Sequence, residues 1–214
     1  MALKVELLVN GPFQENCYLL YDDESKAGAF FDPGCEAERL LRTAGFLGIT
    51  IEAIYNTHGH IDHAGAVAEV AQATGAPFAL HPDDRFLLDA MPGQAQMFGL
   101  PPVRVPAVDR DLAGGEEIFV GGHRARVIHT PGHTPGGVCF LFDDFVIVGD
   151  TLFEGSIGRT DLPGGSTEQL LLSIRDGLLV LDDGMRVLCG HGPATLIGEE
   201  RRYNPFLRTV HAVR

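Results

Sequence analysis

The sequence predicts a mixed α/β fold in which two similar β/α halves pack face to face, with their helices on the outside. Three observations predict it. Short apolar, β-favouring runs cluster in both halves of the 214 residues, a segment with helical periodicity follows each cluster, and side chains that bind metals recur where these runs end. No solenoid period or low-complexity linker interrupts the chain, so we expect a single domain over residues 1–214.

Composition and charge narrow the class of partner. The chain is 45% apolar and 21% charged, which is ordinary for a folded protein, and its net charge is −13 from 29 acids against 16 bases. Because such a surface repels phosphate backbones, we expect no nucleic-acid partner. No run approaches the ~18 apolar residues of a membrane span, and residues 1–6 lack an apolar signal core. We therefore expect no membrane association.

The cysteines indicate the compartment. The four are far apart and contain no C-x-x-C pair, so we expect buried free thiols, which fit a reducing cytoplasm. One of them could instead lie near the functional site, and Cys189, two residues before His191, is the candidate. The four are Cys17, Cys35, Cys139 and Cys189.

The first half begins with three predicted strands, at 3–9, 16–22 and 27–32. Pro33 and Gly34 stop the third strand and leave Asp32 at its C-terminal edge. There the carboxylate either caps the turn or accepts a proton from a metal-binding histidine. Residues 36–47 are predicted to form a helix that ends at Gly48, and a strand follows at 51–57.

The segment from Thr57 to His63 organises the rest of the chain. It reads Thr-His-Gly-His-Ile-Asp-His and places three imidazoles and a carboxylate in six consecutive positions. These side chains ligate borderline metals. On an extended chain His58 and His60 point the same way, while Asp62 and His63 lie at the mouth of the helix predicted to run to about residue 75. One segment could therefore serve two metal positions.

A short strand at 77–81 and a helix at 84–91 are predicted next. The stretch 92–102 follows, and it is the longest one without clear periodicity. Long irregular segments often line binding sites. Met97, Phe98 and Leu100 therefore either form an apolar wall for a substrate or pack on the core.

The second half is predicted to be rich in strands. Strands at 116–120 and 123–129 join through a Gly-Gly turn. The loop that follows holds His133 between Pro and Gly residues, as a preorganised ligand requires. His129 competes for the role, but we prefer His133 because the apex of a loop can direct its side chain outward.

The remaining predicted strands end in further polar groups. Strands at 138–142 and 145–148 lead to Asp150, and a strand at 185–189 leads to His191. A glycine-rich loop carries Arg159, which either braces the loop through Asp161 or contacts substrate. Helices are predicted to begin near Thr167, as an N-cap, and to cover 198–202.

Seven residues make up the candidate ligand set. They are too many for one four-coordinate metal, and they suffice for two metals if one carboxylate bridges. The set is His58, His60, Asp62, His63, His133, Asp150 and His191.

The motifs that carry this set, His-x-His-x-Asp-His, Pro-Gly-His, Gly-Asp and Gly-His-Gly, resemble those of the metallo-β-lactamase fold superfamily. Within it, Gly158–Asp161 and Asn204-Pro205-Phe206 resemble the short bacterial members of the glyoxalase II (hydroxyacylglutathione hydrolase) group. The resemblance covers essentially the whole chain. It implies one metallo-β-lactamase-like hydrolase domain, a four-layer αβ/βα sandwich with metals at one edge between two sheets. Full-length glyoxalase II continues into a C-terminal helical domain that grips glutathione. The chain ends at Arg214, where little of such a domain could exist, so glutathione specificity is not expected. Thioester hydrolysis remains expected.

Carried over by position, the resemblance implies a role for each ligand. His58, His60 and His133 would hold the first metal, Asp62, His63 and His191 the second, and Asp150 would bridge them. Zinc is the expected metal, although iron or manganese also suits these donors.

As a mechanism we expect a hydroxide shared by two metals roughly 3.5–4 Å apart, formed from a water whose pKa is lowered toward ~7. Asp62 would orient this hydroxide for attack on a thioester carbonyl. A thiolate with a pKa near ~8.5 then leaves without a strong general acid. A small-molecule thioester is therefore the expected substrate, with S-lactoylglutathione as the specific candidate.

Rival functions share these ligands. Sulfur dioxygenases resemble the chain through Gly158–Asp161 and would bind one iron, used on glutathione persulfide, with His58, His133 and Asp150. The complete second metal set favours hydrolysis over that activity. A lactonase would use the same ligands. The β-lactamases resemble the chain in its histidines but lack a bridging aspartate at position 150, which disfavours that activity. A non-catalytic metal-binding protein is the remaining alternative.

Overall fold

Two six-stranded sheets form the centre of the computed structural model, which describes residues 2–208. Position 1 and positions 209–214 of the predicted domain lie outside the described residues. The first sheet has the strand order β1-β2-β3-β4-β5-β6. Its strands are β1 (Leu3–Asn10), β2 (Glu15–Asp22), β3 (Ala27–Phe31), β4 (Thr50–Tyr55), β5 (Phe78–Leu80) and β6 (Arg110–Asp111).

The second sheet follows the first in the chain. Its strands are β7 (Glu117–Val120), β8 (His123–His129), β9 (Val138–Leu141), β10 (Phe145–Gly149), β13 (Arg186–Cys189) and β14 (Thr195–Leu196). They are arranged in the order β14-β13-β10-β9-β8-β7. Between β10 and β13, a small hairpin is formed by β11 (Leu152–Phe153) and β12 (Ser156–Ile157).

Within residues 2–208, six α-helices cover the outer faces of the sheets. They are α1 (Ala37–Leu47), α2 (Ile61–Ala64), α3 (Val67–Thr74), α4 (Arg85–Phe98), α5 (Thr167–Ser173) and α6 (Ile197–Tyr203).

The alternation of side chains along the strands explains the layers. Strand β2 is buried along its whole length, and its successive residues point to opposite faces. Leu19 packs toward α1, α3 and α4, whereas Leu20 packs into the core between the two sheets. In that middle core Phe31 meets Phe140 of the other sheet edge to face, with 5.0 Å between ring centroids.

A third core completes the sandwich. Val146 and Val148 of β10 pack against Leu170 of α5 and Ile197 of α6. The layers are therefore helices, sheet, sheet and helices. The predicted mixed α/β class and four-layer sandwich are confirmed.

Helix α4 corrects one prediction. It was expected to end at residue 91 with an irregular stretch after it, but it continues through Pro92 to Phe98. Proline removes one backbone donor and usually ends a helix. Here Leu88, Met91 and Ala95 are all buried at helical spacing, so packing on the core carries the helix past Pro92. The irregular segment is confined to the residues after Gly99.

Smaller differences concern helix ends and short strands. The helix predicted after the histidine-rich segment is divided into α2 and α3 at Gly65. A side chain at Gly65 would meet the carbonyl oxygen of Gly34 at 2.6 Å.

The N-cap of α5 is Ser166 and not Thr167 as predicted. The Ser166 hydroxyl accepts a hydrogen bond from the amide of Gln169. Strands β6, β11, β12 and β14 are two residues long and were not predicted.

The topology brings distant loops to one edge of the sandwich. Strands β3 and β4 are parallel, as are β10 and β13, so the C-terminal ends of each pair lie side by side. Asp32, Thr57, Asp150 and His191 follow these four ends. Over residues 2–208, none of the helices has both the length and the apolar character that a bilayer crossing needs.

Candidate metal centre

The histidine-rich segment is held in shape by a buried amide. Asn56 lies at the end of β4, and its side-chain nitrogen donates to the carbonyl oxygens of His63 at 2.8 Å and His58 at 3.3 Å. The chain therefore curls around Asn56 and enters α2 directly after His60. This local path presents all the imidazoles of the segment toward one place.

The first cluster joins this segment to the loop after β8. His58, His60 and His133 each offer a ring nitrogen, and these atoms lie within 4.8 Å of one another. Nδ1 of His60 is 3.0 Å from Nε2 of His133. All three side chains are buried. The structure thus brings together the three residues predicted for the first metal.

The second cluster joins the segment to the loop after β13. Asp62, His63 and His191 also offer ligand atoms within 4.8 Å of one another. Oδ2 of Asp62 is 3.2 Å from Nε2 of His191 and 3.9 Å from Nε2 of His63. This is the set predicted for the second metal.

Asp150 lies between the two clusters. Its Oδ1 is 3.3 Å from Nε2 of His63, and its Oδ2 is 3.6 Å from Nε2 of His133 and 3.7 Å from Nε2 of His191. One carboxylate therefore faces imidazoles from both clusters, and all seven predicted ligands surround a single volume.

Two of the histidines are oriented through the end of β3. Asp32 accepts hydrogen bonds from the Thr57 amide at 2.6 Å, from the Thr57 hydroxyl at 2.6 Å and from Nδ1 of His63 at 3.1 Å. Because the Thr57 hydroxyl donates to Asp32, it accepts from Nδ1 of His58, 3.0 Å away. Such contacts fix the tautomer and leave each Nε2 free to bind a metal.

Two further histidines are oriented by backbone oxygens. Nδ1 of His133 donates to the carbonyl oxygen of Arg159 at 2.8 Å, and Nδ1 of His191 donates to that of Phe13 at 3.2 Å. The Arg159 side chain itself forms a two-pronged ion pair with Asp161, at 2.8 Å for each contact. In this structure Arg159 therefore contributes to the centre through its backbone.

Several ligand atoms of the centre are buried and have no hydrogen-bond partner, as expected of groups that bind a cation. Among the described residues, the buried side-chain atoms without a hydrogen-bond partner include Nε2 of His58, Nε2 of His63 and Oδ1 of Asp150. A buried polar atom without a partner costs about 1–3 kcal/mol. Three such atoms converge here, and all are of the kind that binds zinc, iron or manganese.

Burial controls the charge of the two histidines in the first cluster. It lowers the pKa of His58 well below its ordinary value, and the imidazoles of His63 and His133 add to the effect. Burial and the nearby His133 lower the pKa of His60 to about 4. Both rings are therefore neutral at neutral pH and keep a lone pair for a cation.

The centre is electrostatically balanced around Asp150. Burial favours a higher pKa for this carboxyl, but the imidazoles of His63 and His133 outweigh it and hold the pKa below its usual range. Burial likewise favours a lower pKa for His63, but Asp150 and Asp62 raise that pKa well above its ordinary value. A cation bound here would replace the proton on His63 as the partner of the two carboxylates.

Asp84 is a residue of the site that the sequence analysis missed. It is fully buried, and its carboxylate accepts from the Gly59 amide at 3.0 Å, the Thr134 hydroxyl at 2.8 Å and the Gly136 amide at 2.6 Å. It therefore ties the loop that carries His58 and His60 to the loop that carries His133. Its position before α4 resembles that of an ordinary helix cap, so nothing in the sequence signalled this role.

The other predicted residues are placed as follows. His129 is exposed and stacks on His81, 4.3 Å between centroids, outside the two clusters. Cys189 is buried, and its carbonyl oxygen accepts from Tyr18 at 2.7 Å. Phe98 contacts Phe13 edge to face at 5.6 Å.

The three apolar residues predicted either to contact substrate or to pack on the core differ in their exposure. Met97 is 79% exposed and Phe98 52% exposed, whereas Leu100 is partly buried against the core of the first half. The four cysteines all lie in the described part of the chain and are free, and three of them are buried.

Comparison with known proteins identifies relatives along the whole chain. The family model described as Metallo-beta-lactamase superfamily matches residues 10–191. A curated protein of Haemophilus influenzae named Hydroxyacylglutathione hydrolase GloC is 41% identical over 211 residues, which cover 97% of this chain and 99% of the relative.

Three solved structures are similar to this chain over nearly its whole length. The B3 metallo-beta-lactamase BLEG-1 is 38% identical with a TM-score of 0.89, over 96% of this chain and 100% of its own. TTHA1623 in a di-iron-bound form is 41% identical with a TM-score of 0.86, over 95% and 100%. ETHE1 from Myxococcus xanthus is 25% identical with a TM-score of 0.81, over 99% and 91%.

Proposed function

The chain belongs to the metallo-beta-lactamase superfamily, and from that premise we propose that it is a two-metal hydrolase of thioesters, of the hydroxyacylglutathione hydrolase type. The observation that supports this most directly is the position of Asp150. Its two oxygens face imidazoles of both clusters at 3.3 to 3.7 Å, as a carboxylate shared by two cations must.

The residues that would hold the cations follow from the two clusters. We propose His58, His60 and His133 for one, Asp62, His63 and His191 for the other, and Asp150 for both. Zinc is our proposal for the native metal. The di-iron form of TTHA1623 makes iron the alternative that metal analysis must separate.

The chemistry divides between the cations and the chain. Bound cations would polarise a carbonyl and make a water acidic enough to ionise at neutral pH. Asp62 is less buried than His63, and its Oδ2 is held by His191 at 3.2 Å. In that position it accepts a hydrogen bond from the attacking water and directs a lone pair of the water oxygen at the thioester carbonyl.

The leaving group fits the same assignment. A thiolate with a pKa near ~8.5 departs without a strong proton donor. An amide nitrogen would need one, so a thioester suits these side chains better than an amide. The likeness to a protein named hydroxyacylglutathione hydrolase supports S-lactoylglutathione as the first substrate to test.

The experiment combines metal analysis with hydrolysis of S-lactoylglutathione. We expect about two metal ions per wild-type chain and thioester turnover. Asp150→Ala should lose turnover and metal together, because neither cluster then has its shared carboxylate. Asp143→Ala, which changes an exposed residue in the β9–β10 turn, is the matched control and should retain both. Full turnover and metal content in Asp150→Ala would contradict the bridging role.

The likeness to ETHE1 favours a second candidate, the persulfide dioxygenase with one iron. Oxygen uptake on glutathione persulfide by protein with a single iron, and no thioester turnover, would replace the hydrolase proposal with this one. The likeness to BLEG-1 makes a β-lactam the other comparison substrate, and a lactone tests the remaining hydrolase activity. We expect both to be hydrolysed more slowly than the thioester.

A further inference from the structure

A cavity of about 240 Å³ lies beside the metal centre. It is bounded by the loop between β1 and β2, the first turn of α1, helices α2 and α3, and the segment that follows α4. Asp62 lines it and also belongs to the second metal cluster. A substrate whose reacting carbonyl lies at the centre can therefore extend one of its two arms into this cavity.

The walls of the cavity are mainly apolar. Apolar side chains line it, and they include Phe13, Ile61, Ala66, Leu100 and Val103. Ile61 lies between His60 and Asp62 in the chain, so the apolar wall begins directly at the metal ligands. Apolar pockets of this kind bind apolar groups because such groups leave water when they enter.

The charged groups at the cavity are acidic. Glu15, Glu36 and Glu69 line it with Asp62, and the lining residues include no lysine or arginine in the described part of the chain. The two arginines beside it are already paired, Arg39 with Glu36 and Arg104 with Glu69.

This charge pattern indicates which part of a thioester substrate, the glutathione carrier or the acyl chain, the cavity can bind. Glutathione carries two carboxylates, and the cavity offers them no cation. An uncharged apolar acyl chain needs no such cation. A lactoyl group extends only one carbon with a methyl and a hydroxyl beyond its carbonyl, so it leaves most of the cavity unfilled.

We propose that this cavity binds the acyl chain of the substrate, and that the preferred acyl chain is apolar, uncharged and longer than lactoyl. The inference rests on the proposed thioester hydrolysis and names the substrate class for it. Each methylene group moved from water into the cavity should raise kcat/KM about fourfold until the cavity is full.

The kinetic test keeps the thiol carrier constant and varies the acyl group. Acetyl-, butyryl-, hexanoyl- and lactoyl-glutathione are compared on metal-loaded wild-type protein. We expect kcat/KM to rise with chain length from acetyl to hexanoyl and to exceed that for lactoyl. A kcat/KM that is independent of acyl length, or that falls from acetyl to hexanoyl, would overturn the proposal.

A pair of variants locates the effect. Val103→Trp should fill the cavity and lower kcat/KM for hexanoyl-glutathione by at least tenfold more than it lowers kcat/KM for acetyl-glutathione, whose short acyl group needs little of the cavity. Val105→Trp changes an exposed residue of the same segment that does not line the cavity. It should leave kcat/KM unchanged for both substrates. Equal losses for both acyl groups in Val103→Trp would overturn the assignment.

A binding test separates this proposal from the proposed function. Cys35 lines the cavity and is the one cysteine of the four that is not buried. Hexanamide, an uncharged apolar probe, should slow alkylation of Cys35 by iodoacetamide, and acetamide should not. Cys35→Ser provides the background labelling. Thioester turnover without protection of Cys35 would leave the hydrolase standing and overturn the acyl cavity. Protection without turnover of any thioester would overturn the hydrolase, and the acyl assignment with it.

Discussion

At the scale of single residues, the centre depends on which ring nitrogen each histidine presents. His58, His63, His133 and His191 each use Nδ1 in a hydrogen bond within the protein. Their Nε2 atoms are thereby directed at the shared volume around Asp150. Contacts within the protein therefore fix the ring orientations that bound cations would need.

Asp84 provides a prediction at this scale. Replacing it with alanine leaves the Gly59 amide, the Thr134 hydroxyl and the Gly136 amide without their acceptor inside the protein. We expect Asp84→Ala to lower the free energy of unfolding by at least about 1–3 kcal/mol, the cost of one such group. Urea denaturation measures the change.

The neighbouring residue supplies the control. The Asp83 carboxylate is 59% exposed, so Asp83→Ala should change the free energy of unfolding by less than about 0.5 kcal/mol. Equal stability of the two variants would show that Asp84 does not hold the histidine loops together.

At the residue scale, the clustering of ligand-type side chains was predictable where the residues lie close in the chain. The positions of His58, His60, Asp62 and His63 followed from one heptapeptide. Asp84 was missed because its three partners belong to loops about 25 and 50 residues away, and a single carboxylate before a helix carries no trace of such distant contacts.

At the scale of elements, α4 shows packing prevailing over local propensity. Its buried residues Leu88, Met91 and Ala95 continue across Pro92 and Gly93, two residues that normally interrupt a helix. The helix ends at Gly99, which adopts a left-handed φ of 66° and donates its amide to the carbonyl of Ala95.

Two glycine substitutions test this account. Added Cβ atoms at Gly93 and at Gly99 meet nothing within 4 Å, so space does not distinguish the two sites. Gly93 is in helical conformation, and Gly93→Ala should stabilise the protein by about 0.5–1 kcal/mol. Gly99→Ala should destabilise it by about 1 kcal/mol because its backbone is left-handed.

Thermal unfolding of wild type and of both variants measures the change in stability caused by each substitution. Opposite signs are expected. A shift of the same sign in both would mean that backbone conformation does not decide the outcome at these positions.

Strands were more predictable than helix ends. Strand β8 has the predicted bounds, and β1 to β4 differ from theirs by one or two residues, because apolar and β-favouring residues bounded by turn residues mark a strand along its length. The end of α4 was misplaced since proline and glycine are strong local signals, whereas the core contacts that override them are visible only in three dimensions.

At the scale of the whole molecule, the two β/α halves meet at the centre. His58, His60, Asp62 and His63 come from the half built on the first sheet, and His133, Asp150 and His191 come from the half built on the second. Cations held by both sets would join the halves at one edge, in addition to the apolar core between the sheets.

Removal of metal should therefore lower the stability of the whole protein. At a free metal concentration of 100 times Kd, one site contributes about 2.7 kcal/mol, which corresponds to a fall in Tm of about 5–10 °C on chelation for a chain of this size. Calorimetry with and without a chelator measures it. The Tm of Asp150→Ala should not respond to the chelator, and an unchanged wild-type Tm after proven metal loss would contradict the prediction.

The layered fold was predictable from the sequence because strands and helices recur in the same order in both halves. The cavity beside Asp62 was not predictable, since its walls come from four separate segments. Of the apolar candidates proposed for substrate contact, Leu100 lines it, and Met97 and Phe98 do not.

The order of the two halves along the chain has a consequence for biosynthesis. A ribosome completes the histidine-rich segment long before it reaches Asp150 and His191, so the nascent chain displays imidazoles whose shared carboxylate does not yet exist. We expect stable loading with cations to require synthesis of both halves. Until then, the ligands of the histidine-rich segment would bind cations only weakly and reversibly.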